Sequence, residues 1–347
     1  MKSQLLVALL WLLFLWAATE RRAGVHEAEP PPPIPKVAAK TTQDNLSAPL
    51  PSVRIPKGTL PPNEVGVVPI FEYHEISRTE KWMSRSIPHF RHDLERLYTE
   101  GYRPISMKEY LDNRIDLPQG LSPVILTFDD ARQSQFSYLS NGKLDPNCAV
   151  AILQQFHERH PDFALRAMFF VLPDAAFEQR GWVGQKLQAL LDMGFELGNH
   201  TVTHRNMTRM SDAEVQKEIF LCKAKIEKLA PKAVVDTLAF PGGNAPRHLS
   251  LVLAGKYQGQ SYTNRAGFLA YGGPAPSPVS VDLDRRRILR LVATGDPGGT
   301  SDWLNWLKRH PELRYVSDGD PNIITVPKAK MKYVDRAKLN GAALRTY

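Results

Sequence analysis

Over residues 65–241, short β-branched or aromatic runs alternate with amphipathic stretches of helical period, and no other feature of the chain restricts its fold as much. VGVVPIFEYHEI, RAMFFVL, FELGNH and AVVDTLAFP read as strands. SPVILTF is a continuous apolar run, short enough for a strand buried on both faces. HFRHDLERLYTEGY sets Phe90, Leu94, Leu97 and Tyr98 at helical spacing and stops at Gly101. LDPNCAVAILQQFHERH offers Asp145 as N-cap and Pro146 at the first helical position. VGQKLQALLDMG ends at Gly194, and Ser211 with Glu214 forms a capping box ahead of a long helix. Strand and helix in alternation imply a parallel sheet with crossover helices. An α/β barrel and an open doubly wound sheet both fit.

The segments before residue 65 have a different character. Residues 1–23 carry Lys2, an apolar core from Leu5 to Ala18, and then Glu20, Arg21 and Arg22, the layout of an export signal. The core is shorter than the ~20 residues of a membrane span. No clean cleavage site follows, so the segment also suits a membrane tether. Residues 24–64 are rich in proline and poor in large apolar groups, as in an extended linker. The domain is therefore expected over 65–347 and outside the cytoplasm: periplasmic, extracellular or anchored to the outer face of the membrane. A formal net charge of +8 favours anionic surfaces, but no Lys/Arg block is interleaved with aromatics, so nucleic acid is not an expected partner. The two cysteines, Cys148 and Cys222, lie in apolar-periodic stretches and read as small buried thiols, although export would permit their pairing. The sequence says nothing of oligomeric state.

In either architecture, chemistry gathers at the C-terminal ends of the strands. There VILTF ends in Asp129 and Asp130, and PIFEY ends in His74. FELGN ends in His200, with His204 four residues on, and VVDTLAF ends in Pro241, Gly242 and Gly243. Two adjacent carboxylates at the end of a buried strand repel each other and call for a cation. One carboxylate with two imidazoles makes a three-ligand metal site with open positions. The spare carboxylate is then placed to act as a base.

LTFDDA, GNHTVTH and LAFPGG, in this order, resemble the first three motifs of the polysaccharide deacetylase family, the NodB homology domain of carbohydrate esterase family 4. VPIFEYHEIS and GYRPISMKEYL resemble its exported poly-N-acetylglucosamine deacetylase branch, and the likeness runs from about residue 65 to residue 255. The resemblance implies a distorted (β/α) barrel, with Asp129 as catalytic base and Asp130, His200 and His204 as ligands of one divalent metal. Zinc is the default for that set, and cobalt or nickel is compatible. It implies a hydrolase that removes N-acetyl groups from an N-acetylglucosamine-containing polysaccharide of the cell envelope. His74 and Gly242 would line the groove, with the Gly242 N–H available to an oxyanion. The family's third-motif arginine is absent, and Gly242 stands where its aromatic would be. Asp302 and Trp303 match the Asp-Trp of the fourth motif, which would bring Trp303 to the substrate; a capping Asp ahead of a packed helix fits as well. No Leu-x-His of the fifth motif occurs, and neither His248 nor His310 has its context, so the proton donor is unassigned. Hydrolysis of another acyl bond at the same site and a noncatalytic carbohydrate-binding relative are the alternatives.

Overall fold

The protein is described from a computed structural model covering residues 60–174, 176–295 and 297–347. The expected export segment (1–23), and all but the end of the expected linker (24–64), lie outside the described residues. Among the described residues no helix is long and apolar enough to cross a membrane. Eight strands form the main sheet: β1 (Ile70–Tyr73), β2 (Tyr102–Pro104), β3 (Ser122–Phe128), β4 (Met168–Val171), β5 (Glu196–Asn199), β6 (Thr237–Ala239), β7 (Ala266–Gly272) and β8 (Ile288–Val292). Strand β1 pairs with both β3 and β8, Ile70 opposite Ile125 and Phe71 opposite Leu291. The order β1-β8-β7-β6-β5-β4-β3 thus returns to β1 as a closed barrel of parallel strands. Strand β2 lies outside the ring against the start of β3. Of the two expected architectures, the chain adopts the barrel.

The main crossover helices are α1 (Ile87–Thr99), α2 (Met107–Asp112), α3 (Ala149–Arg159), α4 (Val183–Asp192) and α5 (Asp212–Leu229), with α6 (Thr300–Arg309) after the last barrel strand. Ser211 and Glu214 form the expected capping box on α5. Helix α3 departs from expectation by starting at Ala149 rather than after Asp145. Asp145 instead accepts from the Asn147 N–H at 2.9 Å in a local turn. The first N–H groups of α3, on Ala149 and Val150, donate to the carbonyls of Ser134 and Gln135. Loop carbonyls thus do the work of a side-chain cap. Strands β7 and β8, which close the barrel, lie beyond residue 262, where the chain is first rich in Gly and Pro and then basic and no strand pattern stands out.

Residues alternate between the two faces of each strand. Phe71, Tyr73, Leu126, Phe128, Phe169 and Val171 pack with the helices in the largest apolar cluster. The opposite faces contribute Ile70, Ile125, Met168, Phe170, Phe268 and Ile288 to a second cluster. Gly198 stands on that second face, where a Cβ would come within 2.4 Å of the Phe170 ring. Two residues beyond Ile70, Ile125 and Ile288 come Glu72, Thr127 and Arg290, all buried. The inward row of side chains therefore changes from apolar to charged at one level, near the C-terminal ends of the strands. Both cysteines are buried free thiols.

The folded body begins at Asn63, two residues inside the expected linker. The Asn63 N–H donates to the Val316 carbonyl at 2.8 Å. Glu64 is buried, and its carboxylate accepts from the Thr325 N–H at 2.6 Å and the Tyr315 hydroxyl at 3.1 Å. Burial, opposed only in part by these bonds, pushes the Glu64 carboxyl up to about 8. A folded pKa above the unfolded value of 4.5 means that this group's contribution to stability is complete below 4.5. That contribution is lost as pH rises toward 8. Glu64→Gln is therefore expected to flatten the fall of the thermal midpoint between about pH 5 and about pH 8, measured by circular dichroism beside wild type.

Candidate active site

Asp129 and Asp130 follow β3, His200 and His204 follow β5, His74 follows β1, and Gly242 follows β6, so the barrel brings six of the expected site residues to one end. His200 Nε2 and His204 Nε2 each lie 3.3 Å from Asp130 Oδ1. The ligand atoms of the three residues all lie within 4.8 Å of one another. His200 Nδ1 sits 3.0 Å from the Ala239 carbonyl oxygen, an acceptor, so the proton belongs on Nδ1 and Nε2 keeps its lone pair. Asp130 Oδ1 and His200 Nε2 are both buried without a hydrogen-bond partner. Two orphaned acceptor atoms converging on one point, with a second imidazole beside them, fit a divalent cation. Burial would raise the Asp130 carboxyl, but the surrounding imidazoles of His200, His74 and His204 outweigh it and keep it ionised. His204 is held below the usual imidazole range by burial and by the neighbouring His200.

The backbone around these ligands is strained. Asp130 (φ 72°), Ala131 (φ 53°), Thr201 (φ 66°) and His204 (φ 54°) all occupy the left-handed region, at a cost of about 1–3 kcal/mol each. Such a geometry persists only where neighbours over-determine it. Glu218 on α5 accepts from the N–H groups of Val202 and Thr203 at 2.9 Å each and from the Thr203 hydroxyl at 2.9 Å. Asn199 accepts from the Thr201 N–H at 2.8 Å and donates to the Ile219 carbonyl at 2.7 Å. Buried Gln135 donates to the carbonyls of both His74 and Asp129 and so ties β1 to β3.

Asp129 sits beside this cluster, its Oδ2 3.9 Å from His200 Nε2. Arg290 of β8, fully buried, donates to Asp129 Oδ1 at 2.8 Å and to Oδ2 at 2.7 Å. It also donates to Thr127 Oγ1 at 3.0 Å and, through Nε, to the Leu269 carbonyl at 2.7 Å. The arginine missing from the third motif is thus matched by one from another strand. Burial pushes Asp129 up, and the Arg290 charge more than reverses this, holding the carboxyl below its ordinary range. Arg290 Nη2 lies 2.9 Å from Glu72 Oε2, but neither Glu72 oxygen accepts a well-formed hydrogen bond. Burial raises Glu72 well above a usual carboxylate, so the two acids sharing Arg290 are pushed in opposite directions. His74 Nε2 lies 3.4 Å from Glu72 Oε1, and His74 Nδ1 is buried and unpartnered. Burial lowers His74 to about 4.

A cleft of about 750 Å³ opens above this centre. His74, Asp130, His204 and Gly242 line it, as do Arg132, Gln133, Ser134, Ser137 and Asp145 from the long insertion after Asp130. Trp303 is not among the lining residues, contrary to the role expected for it. Its ring packs edge-on against Trp306 at 5.8 Å and against the main apolar cluster. Asp302, inside the first turn of α6 rather than at its N-cap, accepts from the Gly298 N–H at 2.8 Å, and Trp303 packs the helix. His248 pairs with Asp212, and His310 stacks on Trp306.

The polysaccharide deacetylase family model matches residues 118–255, the stretch that carries Asp129, Asp130, His200, His204 and Gly242. Over these residues the chain is similar to a polysaccharide deacetylase domain. The activity that accompanies this domain is deacetylation of a polysaccharide, a hydrolysis. No curated protein matches the chain. Among solved structures, the Streptococcus pyogenes deacetylase PplD in complex with acetate is 17% identical, with a TM-score of 0.53 over 69% of this chain and 97% of that one. BC0361, a polysaccharide deacetylase from Bacillus cereus, is 17% identical with a TM-score of 0.53, covering 69% and 68% of the two chains. IcaB from Ammonifex degensii is 17% identical with a TM-score of 0.50, covering 69% and 97%. At these identities the likeness is one of fold.

Arg290, Glu72, Gln135 and Glu218 are residues of the candidate site that no sequence pattern pointed to. Arg290→Met should strand two buried carboxylates and cost roughly 3–5 kcal/mol in chemical denaturation, far more than a surface arginine change.

Proposed function

We propose that the domain is a metal-dependent N-deacetylase acting on an N-acetylglucosamine-containing polysaccharide of the cell envelope. The observation that carries the proposal is the convergence of Asp130, His200 and His204 beside a buried, arginine-paired Asp129 at the floor of an open cleft. Asp130, His200 and His204 would hold the cation, zinc by donor set with cobalt or nickel compatible. A divalent ion bound there supplies a Lewis acid that polarises a carbonyl and acidifies water.

The residues of the chain do the rest. Asp129 is ionised and fixed by the Arg290 fork, and it takes a proton from the attacking water. An amide needs its leaving nitrogen protonated, and the His74–Glu72 pair is assigned that task. Glu72, its carboxyl raised by burial, faces His74 Nε2 at 3.4 Å, and His74 Nδ1 has no partner of its own. His74, which lines the cleft, is assigned as donor of the proton that the leaving nitrogen takes, and Glu72 at its Nε2 as the acid that replaces it. Asp129 and Glu72 share Arg290 Nη2, so the proton that Asp129 takes from water balances the one that Glu72 gives up. The Gly242 N–H is assigned to the developing oxyanion. Residues 1–23 would deliver the domain across the membrane or tether it there, in reach of its polymer.

Acetate release from N-acetylglucosamine oligomers tests the proposal. The metal-loaded protein should release acetate, a chelator should stop it, and Asp129→Asn should lower the rate by about 10²–10⁴-fold. Release that survives chelation or Asp129→Asn, or no release with metal bound, contradicts it. Glu72→Gln mimics the protonated acid in shape but cannot pass a proton. It should slow amide hydrolysis at least ~10-fold more than hydrolysis of an activated acetyl ester, whose leaving group needs no proton.

A further inference from the structure

We infer that Trp82 is the platform on which the cleft holds a pyranose ring of the polymer, the indole stacked on the C–H face of the sugar. The inference rests on the polysaccharide reading and adds the residue that recognises the chain. Trp82 and Met83 form the one large apolar wall of the cleft. The remaining lining is polar, including Glu75, Gln133, Ser134 and Glu178. A pyranose has the complementary division, with hydroxyls around its edge and C–H groups on its face. A polar cleft with one aromatic wall therefore fits a sugar better than it fits an apolar ligand or a small ion.

Trp82 is 69% exposed, although an indole is among the largest apolar surfaces a chain can bury. Single exposed apolar residues are ordinary, but this one stands at the mouth of the catalytic cleft on a braced loop. The flanking short strands Glu75–Ser77 and Ser84–Ser86 pair in parallel. Lys81 and Ser84 exchange both backbone hydrogen bonds at 3.0 Å, and the Glu75 N–H donates to the Met83 carbonyl at 3.2 Å. Glu80 accepts from Arg85 Nη1 at 2.6 Å and from the Ser86 N–H at 2.7 Å, and lies 2.8 Å from His89 Nδ1. Arg85 is in turn forked onto buried Asp93 of α1, at 2.6 and 2.8 Å. Met83, at φ 62°, is held in the left-handed region next to the indole. The side chain is thus presented on a fixed frame, which lowers the ordering cost of binding a ligand against it. Trp303, the aromatic that sequence reading put at the substrate, has its ring engaged with Trp306 and leaves this role to Trp82.

The test pairs kinetics with a direct reading of binding. For N-acetylglucosamine oligomers of increasing length, Trp82→Ala should raise KM by about 10-fold at the longest chains, and Trp82→Phe by no more than about 3-fold. In the Asp129→Asn background, adding the same oligomers should shift tryptophan fluorescence, and Trp82→Phe should abolish that shift. Unchanged KM at every length in Trp82→Ala overturns the inference, as does a fluorescence shift that persists without Trp82. If the wild-type protein releases no acetate, the deacetylase reading fails and the fluorescence titration alone decides this one. A Trp82-dependent shift then sustains the sugar platform, and no shift at the highest soluble oligomer concentration overturns it.

Discussion

One buried guanidinium sets the terms for the rest of the site. Arg290 reaches up from the apolar layer of the barrel, its Cζ 5.2 Å from the Phe170 ring centroid, and divides its charge between Asp129 and Glu72. One cation cannot neutralise two buried carboxylates, so the two are pushed in opposite directions. Geometry decides which way each goes. Asp129 receives both prongs of the fork and is held low, while Glu72 has a charge contact without hydrogen-bond geometry and is raised. A fixed negative charge and a second, less acidic carboxyl are thus built next to the cluster of Asp130, His200 and His204.

The cost of that arrangement appears in the backbone. Four non-glycine residues in two loops, Asp130 and Ala131 in one and Thr201 and His204 in the other, are left-handed, and the second loop is held by Glu218 and Asn199. Glu218 projects from the capped helix α5, and Asn199 from the end of β5. Helix α3 is itself started by carbonyls of the insertion that forms the cleft wall. Helices, insertion and ligand loops are therefore one connected frame, which is how a barrel end carries precise chemistry on irregular segments.

Much of this could be read from residue patterns. The strands SPVILTF and RAMFFVL announce themselves as continuous apolar runs because the barrel buries both of their faces, and the acids and imidazoles stand where those runs stop. What escaped reading failed for physical reasons. Strand β8 reads ILRLV, and the arginine that interrupts its apolar run is the residue the site most depends on. Strand β7 is composed largely of Ala and Gly, with Gly267 placed where a Cβ would meet the Phe240 ring at 2.5 Å. Asp302 and Trp303 matched a two-letter pattern, but two letters carry no information about which side of a helix faces the cleft. Glu72 was hidden because its neighbours made it look like one polar residue in an ordinary strand.

In the proposed site Asp130, His200 and His204 hold one metal, and Asp129, adjacent in sequence, is not a ligand. Visible absorption during Co²⁺ titration of the metal-free protein tests it most directly. The account predicts one equivalent bound, bands lost in His200→Ala and Asp130→Ala, and bands retained in Asp129→Asn. Binding that survives His200→Ala, or that disappears in Asp129→Asn while the protein remains folded, would contradict it.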